Sequence, residues 1–111
     1  MSLLIWNIQG ATAKLSLLVF KNYYHQYKPL ILVLLEPKVL GPQSDSIFLG
    51  LGFDEWVWVK AIGLSGGIWV FWQLELGTLI VTHTNTQFVH CVVTRISLPV
   101  WEFTVVYVIP G

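Results

Sequence analysis

Leu30-Ile31-Leu32-Val33-Leu34-Leu35-Glu36-Pro37-Lys38 is six apolar residues in a row, stopped by an acid, a proline and a base. A strand with one wet face alternates apolar and polar positions. A run that is apolar at every position predicts a strand covered on both faces, as in a parallel sheet under helices. Upstream, Leu15, Leu18, Val19, Asn22, Tyr23 and Tyr27 recur near helical spacing between Ala13 and Tyr27, with Lys14, Lys21 and Lys28 on the other side. This predicts an amphipathic helix ended by Pro29, since proline disfavours helix in the residue before it. Further upstream, Leu3-Leu4-Ile5-Trp6, ended by Asn7 and Gly10, reads as a short buried strand entering a loop. Strand, helix, strand in this order predicts a right-handed crossover joining two parallel strands.

Downstream, Gly41-Pro42 marks a turn. Ser44 can cap a short helix through Ile47, Phe48 and Leu51, stopped by Gly50 or Gly52. The period then changes: Trp56, Trp58 and Lys60 alternate with Val57, Val59 and Ala61, and Gly66-Gly67 introduces Ile68-Trp69-Val70-Phe71-Trp72. Leu79–Thr84, Gln87–Ile96 and Trp101–Val108 are three more β-rich runs. Turns at Gly63–Gly67, Gln73–Gly77, Thr84–Gln87 and Ser97–Pro99 suggest an antiparallel meander. The expected class is α/β: a βαβα unit followed by antiparallel strands, in one main mixed sheet with helices on one face.

The 111 residues suffice for one small domain. Apolar residues make up 55% and charged residues 11%, with mean hydropathy +0.68, which excludes a disordered or low-complexity chain. Six Lys+Arg against six Asp+Glu leave no net charge and so no basic surface to announce a nucleic-acid partner. Such a greasy, uncharged chain favours self-association through exposed apolar surface. The single cysteine excludes an internal disulfide and a multi-cysteine zinc site. No apolar run approaches the roughly 18–20 residues of a membrane span, and the N-terminus lacks the basic region and cleavage site of a secretory signal.

Asn7 closes the first strand and Glu36 the second. Ligands gather at the C-terminal ends of strands in open α/β sheets, so these two residues are expected side by side at one sheet edge. An amide oxygen and a carboxylate are hard ligands of the kind Mg²⁺ takes. Spacing alone favours the plainer reading, a turn-forming Asn7 and a solvated Glu36. His83, His90 and Cys91 fall in β-rich runs, with no spacing that gathers three metal ligands, and are expected to be ordinary strand residues. Cys91 reads as a small core residue rather than a nucleophile. Ser65-Gly66-Gly67 lacks the Lys-Ser/Thr of a phosphate-binding loop and reads as a turn opening a strand. Trp56, Trp58, Trp69, Trp72 and Trp101 could stack bases, but without accompanying Lys or Arg they read as core or uncovered sheet face.

Several stretches together resemble one family. Trp6-Asn7-Ile8-Gln9-Gly10 is similar to the Trp-Asn-x-x-Gly opening of the endonuclease/exonuclease/phosphatase superfamily, and Ile31 to Lys38 to its hydrophobic strand followed by Glu-Thr/Pro-Lys. Leu51-Gly52-Phe53-Asp54, Ala61-Ile62-Gly63-Leu64-Ser65-Gly66-Gly67-Ile68-Trp69 and Phe71-Trp72 resemble the version found in plant non-LTR (LINE-type) retrotransposons. Thr104-Val105-Val106-Tyr107-Val108-Ile109-Pro110 is similar to the family's Thr-x-Val-Tyr-Ala-Ser-Pro strand. The resemblance runs in order along essentially the whole chain.

That resemblance implies a Mg²⁺-dependent phosphodiesterase acting on DNA, built as a four-layer α/β sandwich of which residues 1–111 would form the N-terminal half, and a nuclear location. It implies that Glu36 ligates Mg²⁺, that Asn7 shares in the metal site and orients it, that Lys38 steadies the rim and that Tyr107 contacts the scissile phosphate. The family's later Gly-Asp-x-Asn and Asp-His motifs do not occur here: the two aspartates, Asp45 and Asp54, stand in neither context. A missing general base alone forgoes roughly 10²–10⁴-fold in rate. The expectation is therefore a partial domain with an incomplete catalytic set, little activity of its own and an apolar sheet face left open. The alternative is a non-catalytic remnant or interaction module that works through that face.

Overall fold

A computed structural model describes residues 3–7, 21–35, 51–61, 64–85 and 88–107. Strand β1 (Leu3–Asn7) comes first, and residues 21–27 form helix α1. The earlier part of the expected helix lies outside the described residues. Lys28 ends α1 in a left-handed conformation (φ 44°), its N–H donating to the Tyr24 carbonyl at 2.9 Å. This closes the last turn before Pro29 redirects the chain. Strand β2 (Ile31–Leu35) follows and is buried at all five positions, as its unbroken apolar run requires. It pairs parallel to β1.

Strands β3 (Glu55–Ala61) and β4 (Leu64–Trp72) form an antiparallel hairpin, and β4 also pairs antiparallel with β2. The first sheet therefore runs β1-β2-β4-β3. Strands β5 (Thr78–Thr84), β6 (Phe88–Thr94) and β7 (Trp101–Val106) form a separate antiparallel sheet in sequence order. The chain is thus mixed α/β and mostly strand, with one helix and two sheets among the described residues. The expected single main sheet is corrected. β4 pairs back onto β2, and the chain then passes through a 3-10 turn at Leu74–Leu76, whose Leu76 is buried, instead of a hairpin into β5. The meander survives only as β5-β6-β7.

The turn expected at Gly63–Gly67 is also corrected, because β4 begins at Leu64 and runs through Ser65, Gly66 and Gly67. A bulge between Val59 and Ala61 twists the partner strand there. The Trp58 indole and the Val59 carbonyl occupy the space where a Gly67 side chain would stand, so a strand can pass only as glycine. The short helix expected from Ser44 falls outside the described residues except Leu51, which lies in a turn.

Pleating divides the apolar residues between two cores. Ile31, Val33 and Leu35 of β2 and Ile68, Val70 and Trp72 of β4 share one core with Leu79 of β5, Val89, Cys91 and Val93 of β6 and Val105 of β7. The two sheets therefore pack face to face. The opposite face of β2 and β4 presents Leu32, Leu34 and Phe71 to Tyr24 of α1, Leu4, Trp6 and Phe53. The described layers run helix, four-stranded sheet, three-stranded sheet.

Candidate functional site

β1 and β2 run the same way, so their C-terminal ends reach one sheet edge. In their register Asn7 pairs with Leu35, the residue that precedes Glu36 in the chain, and Leu35 pairs in turn with Ile68. This parallel pairing follows from the crossover, since a strand-helix-strand unit returns the second strand beside the first. Leu35 and Ile68 are both buried in the core between the two sheets. Glu36, Lys38 and the Asn7 side chain lie outside the described residues.

Tyr107 directly follows β7 and is buried in the same inter-sheet core as Leu35. Its hydroxyl donates to the Asn85 carbonyl at 2.8 Å, tying the end of β7 to the β5–β6 turn. Loss of solvent pushes its phenol above the ordinary range. The turn it braces is itself closed by Asn85, whose N–H donates to the Phe88 carbonyl and whose side-chain oxygen accepts from the Phe88 N–H, both at 3.0 Å.

Hairpin register produces a cluster that the linear sequence analysis missed. His83 of β5 pairs with His90 of β6 across a bulge at Val81/His83, and the two rings meet edge to face at 6.1 Å. His90 Nδ1 lies 2.6 Å from Thr104 Oγ1, and its Nε2 is 4.0 Å from Glu102 Oε1. The register, with Thr84 opposite Val89, sets the two histidines opposite each other, one residue off the centre of the turn expected at Thr84–Gln87. Among the described residues, no group of three His, Cys, Asp or Glu could hold a metal ion.

Cys91 is fully buried, and loss of solvent pushes its thiol from an ordinary value near 9 up to about 11. A group whose folded pKa is raised favours the folded state at pH values below its unfolded pKa, and that contribution disappears as pH rises through the folded pKa. Stability is therefore expected to fall between pH about 9 and about 11, with Tyr107 and Tyr24 acting in the same direction. The measurement is a denaturant melt across that range. At pH 8, a disulfide reagent is expected to modify Cys91 in the folded chain about 100-fold more slowly than in denaturant, from the thiolate fraction alone. Equal rates would show that Cys91 is open to solvent.

The tryptophans divide by face. Trp72 is core, Trp69 and Trp101 are partly buried, and Trp56 and Trp58 stand exposed on the edge strand β3, with Trp56 5.3 Å from Trp69. The cleft lined by Tyr24, His25, Lys28, Gln73 and Glu75, of about 350 Å³, lies at the N-terminal end of β2, the opposite end from Asn7 and Leu35. Among the described residues no helix is long and apolar enough to cross a membrane. Compared with known proteins, the chain matches no family model, no curated protein and no solved structure.

Proposed function

We propose that this chain is the N-terminal part of a Mg²⁺-dependent phosphodiesterase of the endonuclease/exonuclease/phosphatase type, similar to the DNA-nicking domain of plant LINE-type retroelements. Its parent architecture would be the four-layer α/β sandwich. The observation that supports this reading is the pairing of Asn7 with Leu35, which puts residue 7 beside the residue that leads into Glu36. A reading that needs both strand tips at one edge would have failed on an antiparallel β1–β2 pair or on a shifted register. A facing pair of sheets under a helix is the second support.

The donor set suits the metal: an amide oxygen and a carboxylate are hard ligands, and Mg²⁺ takes few protein ligands and keeps several waters. Glu36 would hold the ion, with Asn7 beside it and Lys38 balancing charge at the rim. When bound, Mg²⁺ polarises the phosphate and neutralises charge on the leaving oxygen. Tyr107 would reach a phosphate only by giving up its bond to Asn85. No Asp-His pair occurs in the 111 residues to activate water.

Metal binding is therefore the decisive measurement. A Mn²⁺ titration followed by electron paramagnetic resonance is expected to show binding by the chain, weakened about tenfold or more in Glu36→Gln. Identical titrations for the two would refute the metal site. Plasmid nicking in Mg²⁺ is expected to be absent, and nicking that vanishes in Glu36→Ala would show a fuller catalytic set than the motifs provide.

A further inference from the structure

We propose that the outer face of the β5–β6 hairpin binds one imidazole-seeking divalent transition ion such as Zn²⁺, through the Nε2 atoms of His83 and His90. Pleating alternates the faces of β6: Val89, Cys91 and Val93 are buried in the inter-sheet core, and His90 between them falls on the other face. The register of β5 is broken to match. Val81 pairs with Cys91, and in unbroken register Thr82 would then stand opposite His90 and His83 opposite Val89, on the core side. A bulge inserts Thr82 as an extra residue and brings His83 opposite His90 on the outer face. Re-aiming a side chain beside a site is a characteristic use of a bulge.

Each ring is held at Nδ1 by a hydroxyl. Thr82 Oγ1 donates to the His90 carbonyl at 3.5 Å and lies 3.1 Å from His83 Nδ1, so its oxygen is placed to accept from the Nδ1–H. Thr104 Oγ1 of β7 lies 2.6 Å from His90 Nδ1 and is placed in the same way. A proton on Nδ1 leaves the lone pair of a neutral imidazole on Nε2. Metal-binding histidines carry such a partner on their second nitrogen, which fixes tautomer and ring orientation. The Glu102 carboxylate, 4.0 Å from His90 Nε2, adds negative potential where a cation would sit.

The ring centres are 6.1 Å apart. Two imidazoles on one Zn²⁺ at about 2.0–2.1 Å hold their centres about 5–6 Å apart, so a small rotation of the exposed His83 ring completes the approach. The backbone beneath is braced: Asn85 and Phe88 exchange two hydrogen bonds across the turn, and the Tyr107 hydroxyl donates to the Asn85 carbonyl. Among the described residues no group of three His, Cys, Asp or Glu could hold a metal, so water fills the remaining positions around a two-imidazole chelate. Two neutral nitrogens select Zn²⁺ over hard Mg²⁺. The site is thus separate in place and chemistry from the Mg²⁺ proposed at Glu36, and it stands or falls independently of the phosphodiesterase reading.

Calorimetric titration of the chain with Zn²⁺, in excess Mg²⁺ to occupy any hard-oxygen site, is expected to show one equivalent bound. His83→Asn and His90→Asn each leave one imidazole of the pair and are expected to weaken that binding roughly 100-fold, since the second ligand no longer binds as part of a chelate. His25→Asn, which removes the chain's third histidine from α1, is expected to bind like wild type. The imidazole nitrogen resonances of the wild-type chain give a readout that needs no variant to fold. Zn²⁺ is expected to shift Nε2 of His83 and His90 and to leave Nδ1 protonated on both. Absence of Zn²⁺ binding, binding undiminished in both His83→Asn and His90→Asn, or ligation through Nδ1 would overturn the proposal.

Discussion

Phe71→Ala is expected to lower the melting temperature by about 15 °C or more, the largest effect of any single truncation in this chain. Phe71 heads the fully buried side chains by volume, at 1% exposure. It sits at the centre of the smaller core, 5.7 Å from Phe53 and stacked at 6.1 Å on Trp69, beside Leu32 and Leu34. Truncating a buried Phe costs about 3–5 kcal/mol, because the transfer energy is lost and the cavity collapses only in part. Collapse is hindered here: Phe71 lies on β4, whose backbone is held by β2 on one side and β3 on the other. A domain of this size has about 5–15 kcal/mol in hand. Leu74→Ala, on an exposed side chain of the neighbouring turn, is expected to stay within about 0.5 kcal/mol. A Phe71→Ala melt within a few degrees of wild type would mean that packing on the helix face does not hold the first sheet.

Gly77→Ala is expected to destabilise the second sheet by about 2–5 kcal/mol. Gly77 joins the 3-10 turn to β5 at φ 125°, a conformation L side chains rarely adopt. An added Cβ would also collide with the Thr94 carbonyl and come within 2.9 Å of Arg95 Cγ. Thr94 pairs with Thr78, so the clash falls on the first rung of the β5–β6 ladder. Backbone and strain act together, and neither neighbour is the loose end of a flexible side chain. Hydrogen exchange is the discriminating measurement: amides of β5 and β6 are expected to lose protection while those of β2 keep theirs. Uniform loss of protection would show that the two sheets unfold as one unit.

Where the chain leaves the first sheet is the feature that residue types mark least. The strand character of Leu79–Thr84, Gln87–Ile96 and Trp101–Val108 was evident from β-branched and aromatic runs between turn residues, and the strands occupy Thr78–Thr84, Phe88–Thr94 and Trp101–Val106. Their membership of a second sheet was not, because Gln73–Gly77 looks like any hairpin turn until Leu76 is seen buried and Gly77 is seen at positive φ. Ser65-Gly66-Gly67 misled in the same manner. Glycines punctuate a sequence, but here Gly67 lies inside a strand because the Trp58 ring crosses its face.

The candidate site was legible to a similar depth. Asn7 and Glu36 stood out because each follows an apolar run; of the two, the described residues include only the backbone of Asn7, which pairs with Leu35. The braced position of Tyr107 was not legible, since its partner Asn85 is 22 residues away in the chain. The His83–His90 pairing needed the centre of a hairpin, which residue types alone do not mark.

Local chemistry was enough to place β2 and the end of α1: an unbroken apolar run at 31–35 had to be buried on both faces, and Pro29 had to end a helix before it. Which strands pair across long separations and which glycines are irreplaceable were decided only when the sheets closed on each other. Those outcomes depend on side chains far apart in sequence competing for the same space, and periodicity within one segment carries no information about that competition.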